Sequence, residues 1–156
     1  MKVIHLISGG DTGGARTHVY SLLSYLLRRG VEVQLVCFVG GPFADDAAAL
    51  GIPTEVLSRG FFGSVGYLRR KIRAEGYDVV HCHGAKANLM GAILRPSLSV
   101  PVITTVHSDY RLDYLNRPFA AATYGLANKI ALRFLDFRVC VSDTLRGRLI
   151  ERGFKP

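Results

Sequence analysis

The sequence lacks the features that mark secreted, membrane-spanning and disulfide-linked proteins. No apolar run approaches the ~20 residues that a membrane-spanning helix needs, and the apolar stretch after Lys2 is too short for the core of a secretory leader. Only three cysteines are present, Cys37, Cys82 and Cys140, and their wide spacing and odd number argue against a disulfide framework or a paired-thiol motif. We therefore expect a cytoplasmic protein with reduced thiols.

Two common nucleotide-binding motifs are missing as well. A dinucleotide site of the NAD type requires G-x-G-x-x-G and an acidic residue at the end of the second strand, where this chain has Cys37-Phe38-Val39. A triphosphate-binding loop requires Gly-Lys-Ser or Gly-Lys-Thr, and neither occurs. The net charge of +8 still predicts an anionic partner. No nucleic-acid-binding module is recognisable, so we expect no nucleic acid among the partners.

What the chain does contain is an alternation of short apolar strands and amphipathic helices. Its 156 residues suit one domain, residues 1–156, and the apolar runs are continuous, as in strands covered on both faces. The predicted strands are 3–7, 31–38, 54–57, 78–82, 102–106 and 137–141. The predicted helices are one over Val19–Leu27 and others at 45–50, 64–75, 85–94, 118–135 and 143–152. This alternation predicts an α/β, three-layer Rossmann-like sandwich with a parallel sheet of about six or seven strands.

A glycine-rich turn follows the first strand and leads directly into the first helix. It reads Ser8-Gly9-Gly10-Asp11-Thr12-Gly13-Gly14. Glycines let backbone amides approach an anion closely, and the amino end of a helix adds partial positive charge. The turn is therefore a candidate phosphate site, with a tight turn that binds nothing as the alternative.

Histidines mark the ends of the fourth and fifth strands. His81 and His83 share one face of their strand because side chains alternate. A metal site needs further ligands that the chain does not supply nearby, so we expect no metal, with His83 lining a cleft and His81 packed in the strand. His107 is a candidate donor to a phosphate or sugar hydroxyl, or else an ordinary loop histidine. After the sixth strand, Ser142 is a candidate helix cap.

These segments, taken in order, resemble family 4 of the retaining glycosyltransferases. The matching motifs are the turn Gly9–Arg16, then Asp78–Gly84, Thr105–Ser108 and Val139–Ser142. The resemblance implies one half of a GT-B fold: an amino-terminal, acceptor-binding domain that works with a second domain holding a nucleotide-activated sugar. It also implies transfer with retention of configuration, no metal and no other cofactor.

The resemblance assigns roles to individual residues. Gly13 and Gly14 would contact the donor diphosphate or the reacting sugar through their backbone amides, and His107 would be the catalytic-site imidazole beside the transferred sugar. His83 would face the acceptor. Arg16 and His18 would lie near the same rim, although ordinary solvent-exposed positions explain both equally well.

The chain departs from the family pattern at its carboxyl end. Members continue into a domain with two glutamates separated by seven residues, and no two glutamates here have that spacing. We therefore expect the donor-binding domain to be absent and the 156-residue chain alone to be inactive.

Other hypotheses stay open. A related sugar-nucleotide epimerase would need acidic residues poised for proton transfer, for which Asp109 and Asp113 are the local candidates. Besides the glycosyltransferase and the epimerase, the third hypothesis is a non-catalytic module that binds an anion or a protein. A sugar or lipid-linked acceptor and peripheral contact with anionic membrane at the inner face are further hypotheses. The latter rests on the basic segment Tyr67–Arg73 and the aromatic residues of 110–138.

Overall fold

The computed structural model describes residues 1–11, 13–109 and 125–155, and in these it contains six parallel strands. The strands are β1 Lys2–Ile7, β2 Glu32–Cys37, β3 Thr54–Val56, β4 Val79–His83, β5 Val102–Val106 and β6 Phe137–Cys140. Their order across the sheet is β3-β2-β1-β4-β5-β6. The predicted α/β sandwich with a parallel sheet is confirmed.

Six α-helices connect or follow these strands within the described residues. They are α1 Gly13–Arg28, α2 Pro42–Ala49, α3 Phe61–Ala74, α4 Ala85–Leu94, α5 Leu126–Phe134 and α6 Asp143–Glu151. A short 3-10 turn, Arg95–Ser97, ends the α4 segment. None of these helices combines the length and hydrophobicity that a membrane crossing requires.

Two helices begin or end at other residues than the sequence predicts, and one predicted helix cap is present. α2 begins at Pro42, before the predicted 45, because proline is favoured at the first helical position. α5 covers only the end of the predicted helix 118–135, and residues 118–124 of that prediction lie outside the described residues. The predicted cap is confirmed: the Leu145 amide donates to Ser142 Oγ at 3.2 Å.

The core has two parts, one on each face of the sheet. On one face, α1 and α2 bury Val19, Leu23 and Phe43 against the apolar side chains of β1 and β2. On the other, a larger cluster joins α3, α4, α5 and α6 to β1, β4 and β5. α4 lies close to the sheet because Gly91 has no side chain: a Cβ there would come within 2.6 Å of Cys82 Sγ.

The strand order and register determine where candidate site residues meet. β1 is central and pairs with both β2 and β4, and β4 pairs with β5. The register places His5 beside His81 and His83 beside Thr105. All strands are parallel, so the segments after β1, β4 and β5 emerge at the same carboxyl edge, where open α/β sheets bind ligands.

Candidate functional site

The glycine turn closes tightly onto the sheet and leaves the amino end of α1 open. Gly9 has φ +94°, and a Cβ there would lie 2.2 Å from the Val39 carbonyl oxygen, so only glycine fits. The Gly9 amide donates to Asp11 Oδ2 at 3.2 Å, and burial raises the pKa of Asp11. That amide is therefore already occupied within the turn.

The next glycines remain accessible to a ligand. α1 starts at Gly13, both Gly13 and Gly14 are exposed, and a Cβ added at either would meet no heavy atom within 4 Å. No acidic residue lies in the first turn of α1. The first amides of a helix have no partner within the helix, and together with the helix dipole they make this end of α1 receptive to an anion.

All five histidines of the chain lie in one continuous group beside this helix. The ring centroids of His81 and His83 are 4.4 Å apart, and those of His5 and His81 are 5.0 Å apart. His83 reaches His107 at 5.6 Å, and His107 meets His18 of α1 edge-on at 5.0 Å. Sequence-distant segments of β1, α1, β4 and β5 thus converge on one site.

Hydrogen bonds connect most of these rings. His5 Nδ1 lies 3.2 Å from His83 Nε2, and His83 Nδ1 lies 3.3 Å from His107 Nε2. His81 Nε2 lies 2.8 Å from Thr105 Oγ1 on the neighbouring strand. The His5 Nε2 atom is buried and has no hydrogen-bond partner among the described residues.

Burial makes these imidazoles weak bases. It lowers the pKa of His5 and His83 well below the ordinary range, with nearby histidine charges acting in the same direction. Burial likewise lowers the pKa of His81 to about 4 and that of the half-buried His107 to about 4. The four rings are consequently neutral at physiological pH, and each carries a single N–H.

The predicted site residues occupy different depths in this group. His107 and His18 are both partly exposed, and their rings meet edge-on. The predicted roles of His18 at the rim and of His107 beside the transferred sugar stay predictions. His83, predicted to line the cleft on the acceptor side, is only 1% exposed, and both of its nitrogens contact other histidines. His81 is buried in the strand, as predicted.

Arg16 lies on α1 and its side chain is paired with a residue of α2. Its guanidinium donates to the Asp46 carboxylate of α2 and lies over the Tyr20 ring. Arg16 is therefore one member of a surface ion pair with Asp46. Its predicted role near the acceptor stays a prediction.

His5 is the site residue that sequence reasoning missed. It lies in the middle of an apolar strand, where a histidine reads as one more core residue. The signal that could have found it is the combination of strand alternation with the pairing of β1 and β4, which puts it beside His81.

Three of the histidines form a group that could hold a metal ion. One nitrogen from each of His5, His81 and His83 lies within 4.8 Å of the others, and all three side chains are buried. Both nitrogens of His83 are already hydrogen-bonded, so a metal ion would have to displace one of those bonds. The expectation of a metal-free site stays a prediction.

The segment after β5 is anchored by an ion pair. Arg152 donates to Asp109 Oδ1 at 2.6 Å and to Oδ2 at 2.7 Å, and Arg148 Nη1 lies 3.3 Å from Oδ2. The Asp109 side chain is buried, which strengthens these bonds. Of the two acids considered for epimerase chemistry, Asp109 is thus bound by arginines and Asp113 lies outside the described residues.

The membrane hypothesis concerns the exposed face of α3 and the aromatic residues of 110–138. On α3, Leu68 and Ile72 are buried, whereas Phe62 is 84% exposed and Arg69 and Arg70 are exposed. Lys71 of the same helix pairs with Glu55 and Glu75. Among the aromatic residues of 110–138, Phe134 and Phe137 are exposed, and Tyr114, Phe119 and Tyr124 lie outside the described residues.

Comparison with known proteins adds a family and a set of structural relatives. A family model described as Glycosyltransferase Family 4 matches residues 12–156. The D-inositol 3-phosphate glycosyltransferase of Mycolicibacterium smegmatis is 30% identical in an alignment of 119 residues that covers 64% of this chain and 27% of that protein. The enzyme of the same name from Corynebacterium diphtheriae is 26% identical over 120 residues, with the same coverage. The chain therefore spans about a quarter of the length of these relatives.

Solved structures share the fold. Anabaena HepE in complex with UDP-glucose superposes with a TM-score of 0.77 at 21% identity, over 99% of this chain and 41% of that one. A UDP-N-acetylglucosamine 2-epimerase from Listeria monocytogenes, described as putative, superposes with a TM-score of 0.73 at 14% identity, over 99% of this chain and 43% of that one. At these identities the likeness establishes the fold, which transferases and epimerases have in common.

Proposed function

Because the chain belongs to glycosyltransferase family 4, we propose that it is the acceptor-side half of an enzyme that transfers a sugar from a nucleotide-sugar donor to an acceptor. A second, donor-binding domain supplies the nucleotide site, and transfer retains the anomeric configuration. The family match favours this function over an epimerase, as does the binding of Asp109 by two arginines.

One observation carries the proposal: the open amino end of α1 and the His107 imidazole share an edge of the sheet and are linked through His18. The amides of Gly13 and Gly14 contact the donor diphosphate or the reacting sugar. His107 lies beside the transferred sugar. In this arrangement preorganised hydrogen-bond donors stabilise the charge of the transition state, so we propose that the site needs no metal or other cofactor.

The test compares the 156-residue chain with the product of the complete reading frame that contains it. We expect the complete product to release nucleotide from a nucleotide sugar in the presence of acceptor, and the 156-residue chain to release none. Screening UDP-sugars first is supported by HepE, whose structure contains UDP-glucose. Turnover by the short chain would contradict the two-domain proposal. Anion binding without turnover by the complete product would favour a non-catalytic module.

Variants of the complete product test the site itself. Gly14→Ala adds a methyl group in open space, so the fold should tolerate it while the ligand loses close access to the amide. Gly147→Ala in α6 also meets no atom within 4 Å and is the matched control. We expect Gly14→Ala and His107→Ala to lower turnover at least ~10-fold, which is the effect of losing about 1.4 kcal/mol of transition-state stabilisation. Equal activity in Gly14→Ala and Gly147→Ala would refute the role of the turn.

The acceptor side adds a membrane to the proposal. We propose a sugar or lipid-linked acceptor and peripheral attachment at the cytoplasmic face of an anionic membrane. The support is the exposed α3 face, where the exposed Phe62 ring lies on the same helix as the exposed positive charges of Arg69 and Arg70. Basic residues near such a surface contribute about 1 kcal/mol each.

Sedimentation with anionic vesicles at physiological salt tests this attachment. We expect the protein to pellet with phosphatidylserine-containing vesicles and not with neutral ones, and the double variant Arg69→Glu/Arg70→Glu to remain in the supernatant. Arg28→Glu/Arg29→Glu, at the carboxyl end of α1, alters two exposed arginines by the same total charge and is the matched control, which should still pellet. Equal sedimentation of the double variant and the control would refute the α3 surface.

A further inference from the structure

We propose that His5 and His83 are positioning residues that fix the tautomer of His107, so that His107 presents its Nδ1–H, and not a lone pair, to the site. The juxtaposition behind this proposal is a line of three imidazoles running from the buried centre of β1 to the rim. The proposal rests on the proposed function only where it names the ligand that His107 contacts. The tautomer itself can be measured without any substrate.

The geometry is that of a hydrogen-bonded line. The His5 and His83 ring planes differ by 17°, and their centroids lie 5.5 Å apart with nitrogens 3.2 Å apart. His83 and His107 differ by 35°, with nitrogens 3.3 Å apart. In both pairs the rings are close to parallel and the facing nitrogens are within hydrogen-bonding distance. The N–H of one ring therefore points at the lone pair of the next, as a hydrogen bond between imidazoles requires.

Neutrality of the rings couples the two bonds. A neutral imidazole has one donor nitrogen and one acceptor nitrogen. His83 uses both nitrogens, so it must donate on one side and accept on the other. The line therefore has only two states: all hydrogens point outward, from His5 toward His107, or all point inward.

The buried end of the line selects between these states. His5 is fully buried, its Nε2 has no partner among the described residues, and its neighbour across the β1–β2 pairing is Leu35. In the inward state this nitrogen would carry an N–H with no acceptor, and orphaned buried N–H groups are the rarer and more costly defect. In the outward state it carries only a lone pair.

The outward state defines what His107 can do. His5 Nδ1–H donates to His83 Nε2, His83 Nδ1–H donates to His107 Nε2, and the one hydrogen of His107 is left on Nδ1. This nitrogen makes no hydrogen bond with any described residue. His107 then serves as a hydrogen-bond donor to an oxygen, such as a sugar hydroxyl or a phosphate. It does not serve as a general base at neutral pH.

Two other histidines are neighbours of this line and do not join it. His81 lies beside His5 and His83 but bonds Thr105, and His18 meets His107 through ring edges. They provide controls: removing His81 should leave the tautomer of His107 in place, whereas removing His83 should release it.

Long-range ¹H–¹⁵N correlation spectra of the uniformly labelled chain at neutral pH give the tautomer of every imidazole. We expect His5, His83 and His107 each to show a protonated Nδ1 and an unprotonated Nε2. In His83→Phe the single-tautomer pattern of His107 should be lost in favour of a mixture, and in His81→Gln it should be retained. The spectrum of the unmodified protein decides the matter if either variant fails to fold.

A protonated Nε2 on His107 in the unmodified protein would overturn the proposal, as would an unchanged pattern in folded His83→Phe. Neither result would bear on sugar transfer, which is measured separately with the complete product. Conversely, a complete product without transferase activity would leave the tautomer measurement intact.

Discussion

The buried histidine His81 should make the stability of the protein fall steeply in mild acid. Its pKa is lowered from 6.5 to about 4, first by burial and then by the charges of His18 and His107. The depressed value means that the unfolded chain takes up a proton near pH 6.5 while the folded chain does not. The stability contributed by the neutral ring is therefore complete above pH 6.5 and is lost as pH falls toward 4.

The size of the effect follows from the shift. Each pH unit in this window costs about 1.4 kcal/mol for one proton, so His81 alone removes about 2 kcal/mol of unfolding free energy between about pH 7.5 and pH 5. The pKa values of His5 and His83 are lowered too, so they add to the loss. Total stability of a domain is only about 5–15 kcal/mol, and a loss of this size is readily measured.

The assay is urea unfolding followed by far-UV circular dichroism across that pH range. We expect His81→Gln, which can still reach Thr105, to reduce the pH-dependent loss by about 2 kcal/mol. Val80→Ala is the matched control: it is the preceding residue, fully buried on the opposite face of β4, and it should lower stability by a similar amount at every pH. If both variants show the same pH dependence as the unmodified chain, the reasoning about burial is wrong.

Three further predictions concern the turn, the anchored loop and metal. Gly9→Ala should destabilise the chain by about 2 kcal/mol or more in urea unfolding, because the positive φ strains alanine and its Cβ would clash with the Val39 carbonyl oxygen. Gly10→Ala is the control: a Cβ there meets open space, so stability should change by less than ~1 kcal/mol. Arg152→Met should cost about 3 kcal/mol in the same assay, since it leaves the buried carboxylate of Asp109 poorly compensated. Equimolar Zn²⁺ should leave the melting temperature unchanged; a rise that a chelator reverses would show that the three buried histidines bind metal.

Sequence patterns predicted the fold well because the periodic signals were strong. Continuous apolar strands and the stripe from Val19 to Leu27 report on burial, which the sheet and its helices satisfy directly. Boundaries were less accurate where a short element such as Pro42–Ala49 depends on a single proline. Periodicity does not reveal the order of the strands in the sheet, and therefore it does not reveal which side chains are neighbours across strands.

The candidate site was predicted only in part for the same reason. The turn before Gly13 and the position of His107 follow from local motifs, and the structure brings them to one edge. His5 could not be found without knowing that β1 and β4 are neighbours. The burial of His83 depends on the histidines that pack around it from β1 and from the segment after β5, so the sequence predicts its face but not its burial.

The pairing of Asp109 with Arg152 joins two parts of the chain that are far apart in sequence. Asp109 lies two residues after His107, and Arg152 immediately follows α6. A rotation or tilt of that last helix would pull on the exit of β5 and shift the imidazole next to it. The position of α6 and the position of His107 are thus coupled through the two bonds between Arg152 and the Asp109 carboxylate.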